Sequence, residues 1–189
     1  MPKNSSSVVR LELLSDEERA SHPDHAQEHK YLLAAGLVAG RTVLDVGAGT
    51  GYGIPILEAG QATLATGIDP KPMGPKVTPL PLQCFRDSSF DILTCIDVLE
   101  HVENDAAFLD ELARVAKLAV FIATPNYDVW HCESKYHFRE YTPEELKTLL
   151  GSLSYMSWTC GANRIEKPLH LVPIEETEST FGILVRAPT

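Results

Sequence analysis

Short apolar runs alternate with amphipathic segments along most of the chain. Buried strands are predicted at "TVLDV" (42–46), "ATLATGID" (62–69), "FDILTCIDVL" (90–99) and "LAVFIATPN" (118–126). Helical spacing of apolar residues predicts helices from about His25 to Val38, over 52–60 and over 104–116. Strands that alternate with helices are typical of a mostly parallel, twisted α/β sheet with helices on both faces.

The C-terminal part of the chain carries a helix whose start and end can be read from the sequence. Thr142 is the predicted N-cap, Pro143 takes the first helical position, Glu145 completes a capping box and Gly151 ends the helix. Two further runs, 154–160 and 181–187, predict a closing hairpin joined by a long polar loop.

The first residues show no such pattern. We expect 1–14 to be a flexible arm and Ser15 to cap a short helix, with the whole of 1–189 forming a single domain.

A proline-rich segment interrupts the alternation between the second and third predicted strands. Residues 70–89 contain Pro70, Pro72, Pro75, Pro79 and Pro81. Because proline removes a backbone donor and clashes with the preceding turn, a regular helix is excluded here. The sheet is therefore predicted to be shortened after its second strand.

The charge balance narrows the range of partners. The chain has 16 basic and 26 acidic residues, a net charge of −10. Non-specific binding to nucleic acid needs a patch of basic residues on the surface, so a nucleic-acid partner is not favoured. No apolar run reaches the length of a membrane span and the N-terminus lacks a secretory pattern, so we expect a cytoplasmic protein without a membrane partner.

The stretch "TVLDVGAGTGYG" is the clearest indication of a ligand-binding site, because a predicted strand runs directly into a glycine-rich turn. Glycine tolerates positive φ and has no Cβ to obstruct a ligand. Asp45 lies inside the apolar strand, where an unpaired carboxylate is costly and needs a partner. Asp69 ends the next strand about twenty residues further on, a spacing at which an acid accepts both hydroxyls of a ribose. A tight turn without a ligand is the alternative, but turn and acid together favour a nucleoside-containing cofactor.

Several motifs occur in an order that resembles the class I S-adenosylmethionine-dependent methyltransferases, of the type 11/23-like kind. They are "DVGAGTGYG", "GIDP", "SFDILTCIDVLEHV" and "VFIATPN", spread over roughly residues 25 to 150. The resemblance implies a Rossmann-like fold and S-adenosylmethionine as the cofactor. By position, the resemblance implies that Asp45 holds the cofactor's amino group through water or backbone. Its methionine portion would be lined by Gly47, Gly49 and Gly51. The resemblance also implies that Asp69 binds the ribose, that Tyr31 lies over the methionine carboxylate and that Asp97 contacts the cofactor.

A second constellation follows the third predicted strand. "DVLEHVEN" supplies Asp97, Glu100 and His101, and "SKYHFREYTPEEL" supplies His137, a set that suits Mg²⁺, Mn²⁺ or Zn²⁺. It is similar to the metal site of the small-RNA 3′-terminal ribose 2′-O-methyltransferases, with Asp97 in place of a glutamate. "LEHV" also occurs in methyltransferases without a metal, and His101 or His137 would then be the catalytic general base.

Three hypotheses of function remain open at this point. The first is a methyltransferase that acts on a small-molecule or sugar hydroxyl. The second is RNA 3′-end ribose 2′-O-methylation, which uses the metal pattern but conflicts with the acidic charge. The third is a methyltransferase-like binding module without catalysis. A dehydrogenase ranks below these because the glycine spacing differs from GxGxxG.

The shortened segment predicts weak cofactor binding. Pro79 or Leu80 stands about where the resembled family often places an acid against the adenine amine, so loop residues such as Leu80, Leu82 or Phe85 would have to build that pocket. We expect calorimetry with S-adenosylhomocysteine to give an affinity no tighter than micromolar. A sub-micromolar dissociation constant would contradict this expectation.

Overall fold

The structure is a computed structural model that describes residues 25–131, 134–153, 155–162 and 177–186. The predicted arm and the Ser15 cap lie outside these ranges. The described strands are β1 (Thr42–Val46), β2 (Leu64–Ile68), β3 (Val77–Thr78), β4 (Phe90–Ile96), β5 (Ala116–Pro125), β6 (Met156–Ala162) and β7 (Ser179–Val185). The described α-helices are α1 (His25–Ala35), α2 (Gly53–Ala59), α3 (Asp105–Val115), α4 (Tyr127–Trp130) and α5 (Pro143–Gly151).

The strands form one sheet in the order β3-β2-β1-β4-β5-β7-β6. Strands β1 to β5 pair in parallel, whereas β7 is antiparallel to both β5 and β6. The predicted mostly parallel sheet and the closing antiparallel pair are thus confirmed. The carboxyl ends of β1, β2 and β4 meet at one edge, the place where open α/β sheets bind ligands.

Alternate residues of the strands face two separate cores, one on each side of the sheet. The core on one side lies under α3 and α5 and includes Leu44, Leu93, Ile122, Leu112 and Leu146. The core on the other side lies under α1 and α2 and includes Val43, Ile92, Phe121, Ala34 and Leu57. Helices on both faces were predicted, and each face buries apolar side chains from both the sheet and the helices.

The proline-rich segment is described throughout and contains no α-helix, as predicted. It does contain β3, which was not predicted: Gly67 N–H donates to Lys76 O and Asp69 N–H donates to Thr78 O, at 2.9 and 3.1 Å. Pro79 follows directly and has no N–H, which limits the extension of the strand. The sheet therefore continues beyond β2, but with a strand of only two residues.

Local geometry accounts for two further differences from the predicted elements. Strand β4 ends at Ile96, three residues early, because Asp97 has a left-handed φ of 53°. Helix α4 was not predicted because its four residues are too few to show a period. Asn126 caps α4 by accepting a hydrogen bond from Asp128 N–H at 3.0 Å. None of the described helices has both the length and the hydrophobicity needed to cross a bilayer.

Candidate functional site

A cavity of about 850 Å³ opens at the carboxyl ends of β1, β2 and β4. Its walls come from the glycine-rich turn after β1, from the acid after β2, from the loop beyond β3, from the turn after β4 and from α1. The lining residues used below are Gln27, Tyr31, Gly47, Ala48, Gly49, Asp69, Lys71, Leu80, Leu82, Gln83, Asp97, Val98, His101 and Tyr136. Five of the seven predicted cofactor residues therefore line one space of the size that ligand sites have, namely Tyr31, Gly47, Gly49, Asp69 and Asp97. Asp45 and Gly51 do not line it.

Two glycines of the turn after β1 are required by its geometry. Gly47 has φ 77°, and a Cβ placed there would lie 2.2 Å from Val98 Cγ2. Gly49 has φ 52° and no atom within 4 Å of such a Cβ, so a side chain would extend into open space at the cavity wall. The backbone can therefore approach a ligand closely only while these positions remain glycine.

Asp69 is bound to this turn. Gly49 N–H donates to its Oδ2 at 3.0 Å, and Lys71 N–H donates to its Oδ1 at 2.7 Å. An ionised carboxylate offers about four lone-pair positions, so these two bonds leave roughly one on each oxygen. The turn and the acid, far apart in the sequence, thus form one unit that can still accept two hydroxyl groups.

Asp45 has the partners that its position in an apolar strand demands. It is fully buried; Tyr31 Oη donates to its Oδ2 at 2.9 Å and Thr94 Oγ1 donates to its Oδ1 at 2.7 Å. Burial raises its pKa to about 6, against the opposing effect of the two hydrogen bonds. Asp45 does not line the cavity, so any influence on a ligand passes through its neighbours.

Tyr31 is buried, and both its ring and its hydroxyl group contact other residues of the protein interior. A Cβ on Gly53 would lie 1.8 Å from Tyr31 Cε1, so the ring packs directly on the start of α2. The hydroxyl is bonded to Asp45, while the residue also lines the cavity. Its predicted contact with a methionine carboxylate stays a prediction.

Asp97 has cationic and amide partners that the sequence did not reveal. Lys30 Nζ is bonded to both of its carboxylate oxygens, and Gln27 Nε2 donates to Oδ2 at 3.1 Å. Lys30 and Tyr31 follow Gln27 at helical spacings of three and four residues, so polar residues on the inward face of α1 were the available signal. The left-handed backbone at Asp97 accompanies this arrangement, in which its carboxylate is bonded to α1.

The structure brings three of the four predicted metal ligands together. One ligand atom each from Glu100, His101 and His137 lies within 4.8 Å of the others, and Asp97 is not part of this group. Glu100 and His101 lie on a 3₁₀ turn, Leu99–His101, and Phe138 N–H donates to Glu100 O at 2.8 Å, which holds the later loop over that turn. The predicted fourth ligand, Asp97, is instead paired with Lys30.

Each histidine of this cluster is oriented through Nδ1. His101 Nδ1 lies 3.0 Å from Tyr136 O, and His137 Nδ1 lies 2.6 Å from Glu140 Oε1. Metal-binding histidines are commonly oriented in this way by a carbonyl or carboxylate on the other ring nitrogen. Glu140 was not identified from the sequence, because its role depends on the fold of the loop.

Glu100 is buried, and its Oε2 atom has no hydrogen-bond partner among the described residues. Burial, and after it the Asp97 carboxylate, raise the pKa of Glu100 well above its ordinary value. Such an oxygen is uncommon in a folded protein and calls for a functional explanation.

The wall beyond β3 contains two of the three residues expected to form an adenine pocket. Leu80 and Leu82 line the cavity. Phe85 does not, because its ring packs against Phe90 with 5.7 Å between centroids. Gln83 lines the same wall and was missed, since an isolated glutamine carries no pattern.

Comparisons with known proteins bear on this geometry. A family model described as a methyltransferase domain matches residues 18–166. A SAM-dependent methyltransferase from Archaeoglobus fulgidus is 16% identical, with 91% of this chain and 95% of that chain covered and a TM-score of 0.65. A 1,6-didemethyltoxoflavin-N1-methyltransferase from Burkholderia thailandensis, solved with S-adenosylhomocysteine, is 14% identical, with 87% and 80% covered and a TM-score of 0.65.

A third solved structure, the small RNA methyltransferase HEN1, is 17% identical, with a TM-score of 0.66. The match covers 86% of this chain but 25% of that chain. At such identities the likeness to all three solved structures is one of fold.

The buried carboxyl group of Asp45 gives a pH-dependent stability. Its folded-state pKa of about 6, against an ordinary 3.8, means that the folded protein keeps this proton while the unfolded chain releases it. Stability that is fully present below pH 3.8 is therefore lost as the pH rises through about 6. The loss amounts to roughly 3 kcal/mol, at 1.36 kcal/mol per pKa unit.

We expect Asp45→Asn to remove this dependence. Urea unfolding of both proteins between pH 3 and 7 should show their difference in unfolding free energy changing by about 3 kcal/mol. A difference that stays constant over that interval would contradict the assignment.

Proposed function

We propose, since the chain belongs to the methyltransferase domain family, that it transfers the methyl group of S-adenosylmethionine to a hydroxyl group of a small molecule or sugar. The observation that carries the proposal is the Gly49–Asp69 unit at the edge of the cavity. It combines a close backbone approach with a carboxylate that can still accept two hydroxyl groups.

The cavity suggests how the cofactor would lie. The ribose would contact Asp69, and the adenine would extend along Leu80, Leu82 and Gln83. The sulfonium end would then pass Gly47 toward the turn after β4. Because the cavity holds about 850 Å³, near the upper end of small-molecule sites, it has room for an acceptor beside His101 and Tyr136.

Methyl transfer in this arrangement is an in-line displacement. The acceptor oxygen forms a bond to the sulfonium methyl carbon while the carbon–sulfur bond breaks, and the sulfur leaves as a neutral thioether. The acceptor's proton passes to a base or to solvent. The main contribution of the chain is to hold donor and acceptor in line, which removes much of the entropic barrier.

We further propose that Glu100, His101 and His137 hold a divalent cation. The three ligand atoms are close together, both imidazoles are oriented through Nδ1, and Glu100 Oε2 has no partner among the described residues. A cation bound there would lower the pKa of an acceptor hydroxyl. Asp97 is left out of this ligand set because it is paired with Lys30.

RNA 3′-end methylation is a second candidate because it uses the same cluster. HEN1, which this chain resembles in fold, acts on small RNA according to its name. The net charge of −10 favours the small-molecule acceptor, since RNA binding draws on basic groups.

Binding of S-adenosylhomocysteine tests the cofactor site. The ligand should raise the melting temperature of the wild-type protein. Asp69→Asn should weaken binding roughly hundredfold in calorimetry, because two hydrogen bonds to a charged group are lost. The matched control is Asp110→Asn, an exposed acid on α3 outside the cavity, which should bind like the wild type. Absence of any thermal shift with the wild-type protein would overturn the proposed function.

Manganese binding tests the cation proposal independently of the cofactor. Calorimetry with Mn²⁺ should show at least a tenfold weaker affinity for Glu100→Gln, which keeps the side-chain volume but removes the charge. The control Glu103→Gln changes an exposed acid near the same turn and should have no effect. Equal affinities for the wild type and Glu100→Gln would rule out this site, leaving His101 as the candidate general base.

A further inference from the structure

The part of the cavity beside the turn after β4 has a mostly apolar and aromatic wall. We call this part the apolar end, and its residues are Val98, His101, Val102, Phe108 and Tyr136. The first four belong to one stretch of chain, which runs from the end of β4 into the first turn of α3. Tyr136 joins them from the later loop, because its carbonyl oxygen lies 3.0 Å from His101 Nδ1.

Tyr136 presents an aromatic ring on a fixed backbone. The residue is 43% exposed although it lines the cavity. Its N–H donates to Ser134 Oγ at 3.3 Å, and the next N–H, that of His137, donates to Ser134 O at 3.1 Å. The Lys135 ammonium lies 4.8 Å from the centroid of the ring. An open ring on such a backbone is a preorganised surface for a flat ligand, since little freedom is lost on binding.

A sugar would leave most of its hydroxyl groups without partners at the apolar end. Of its five residues, only His101 and Tyr136 have polar side-chain atoms, and His101 Nδ1 already lies against Tyr136 O. A polar group that leaves water without gaining a hydrogen bond loses the full cost of its desolvation. A flat aromatic ring with one hydroxyl group avoids this cost and gains from burial of its apolar faces.

The reaction also proceeds more readily with an aromatic hydroxyl group. A phenol such as the tyrosine side chain has a pKa of about 10, whereas the pKa of water is about 15.7. The phenolic oxygen therefore becomes a nucleophile with less assistance from the protein than an aliphatic hydroxyl group needs. Wall chemistry and acceptor reactivity favour the same class of molecule.

We propose that the methyl acceptor is a phenol whose ring packs on Tyr136 and whose hydroxyl group points to His101. This inference rests on the proposed function and narrows its acceptor to an aromatic one. The phenolic oxygen forms a bond to the sulfonium methyl carbon while the carbon–sulfur bond breaks. The sulfur leaves as a thioether, the phenolic proton passes to solvent, and the product is an aryl methyl ether.

Phenol, cyclohexanol and methyl β-D-ribofuranoside test this inference as probes. The first two have rings of the same size and differ in the aromatic face, while the third is a sugar. NMR titrations of the protein saturated with S-adenosylhomocysteine, without added divalent metal, give the three affinities. We expect phenol to bind about threefold to tenfold more tightly than cyclohexanol, the range that an aromatic pair contributes, and the riboside to bind most weakly.

Two variants of one loop separate the Tyr136 ring from general apolar bulk. Tyr136→Leu keeps an apolar side chain but removes the aromatic face, so the preference for phenol over cyclohexanol should fall below about twofold. Phe138→Leu is the matched control, because Phe138 is 66% exposed and does not line the cavity. It should keep the wild-type preference. Both variants should bind S-adenosylhomocysteine as the wild type does.

Each result decides between this inference and the proposed function. If the wild type does not bind S-adenosylhomocysteine, both fall. If it binds that ligand but binds the riboside as tightly as phenol, or binds none of the three probes, the phenol assignment is overturned while the methyltransferase assignment stands. A preference for phenol that Tyr136→Leu leaves unchanged would equally overturn the inference.

Discussion

The hydrogen bond from Gly49 N–H to the Asp69 carboxylate is the contact on which the site depends. It joins the turn after β1 to the end of β2, and two further bonds, from the N–H groups of Gly47 and Ala48 to Ile68 O, fix the same junction. These contacts exist because β1 and β2 run in parallel and end at the same level, with Val46 opposite Ile68. The pairing of β1 with β2 is thus enough to place the backbone of Gly49 beside the carboxylate of Asp69.

Four carboxyl groups crowd this edge of the sheet, and each is accommodated in a different way. Asp45 is bonded to two hydroxyl groups and Asp69 to two backbone N–H groups. Asp97 is paired with a lysine, and Glu100 keeps one oxygen without a described partner. Burial raises the pKa of both Asp45 and Glu100, and Lys30 balances the charge of Asp97, so these groups do not act as four free negative charges.

Much of this arrangement was predictable because its signals are local. The order of strands and helices, the glycine turn, Asp45, Asp69 and the "LEHV" segment all lie in short patterned stretches. The partners were less accessible: Lys30, Thr94 and Glu140 meet their partners only through the fold. The sequence placed Asp97 in the same predicted ligand set as Glu100, yet its left-handed backbone and the nearby lysine attach it to α1. Strand β3 escaped prediction because two residues among five prolines carry no recognisable period.

The most direct measurement is a crystal structure of the protein grown with S-adenosylhomocysteine. We expect continuous ligand density across the carboxyl ends of β1, β2 and β4, with both ribose hydroxyls within about 3.2 Å of the Asp69 carboxylate. A cavity filled by protein side chains, or a ligand bound elsewhere with Asp69 untouched, would contradict it.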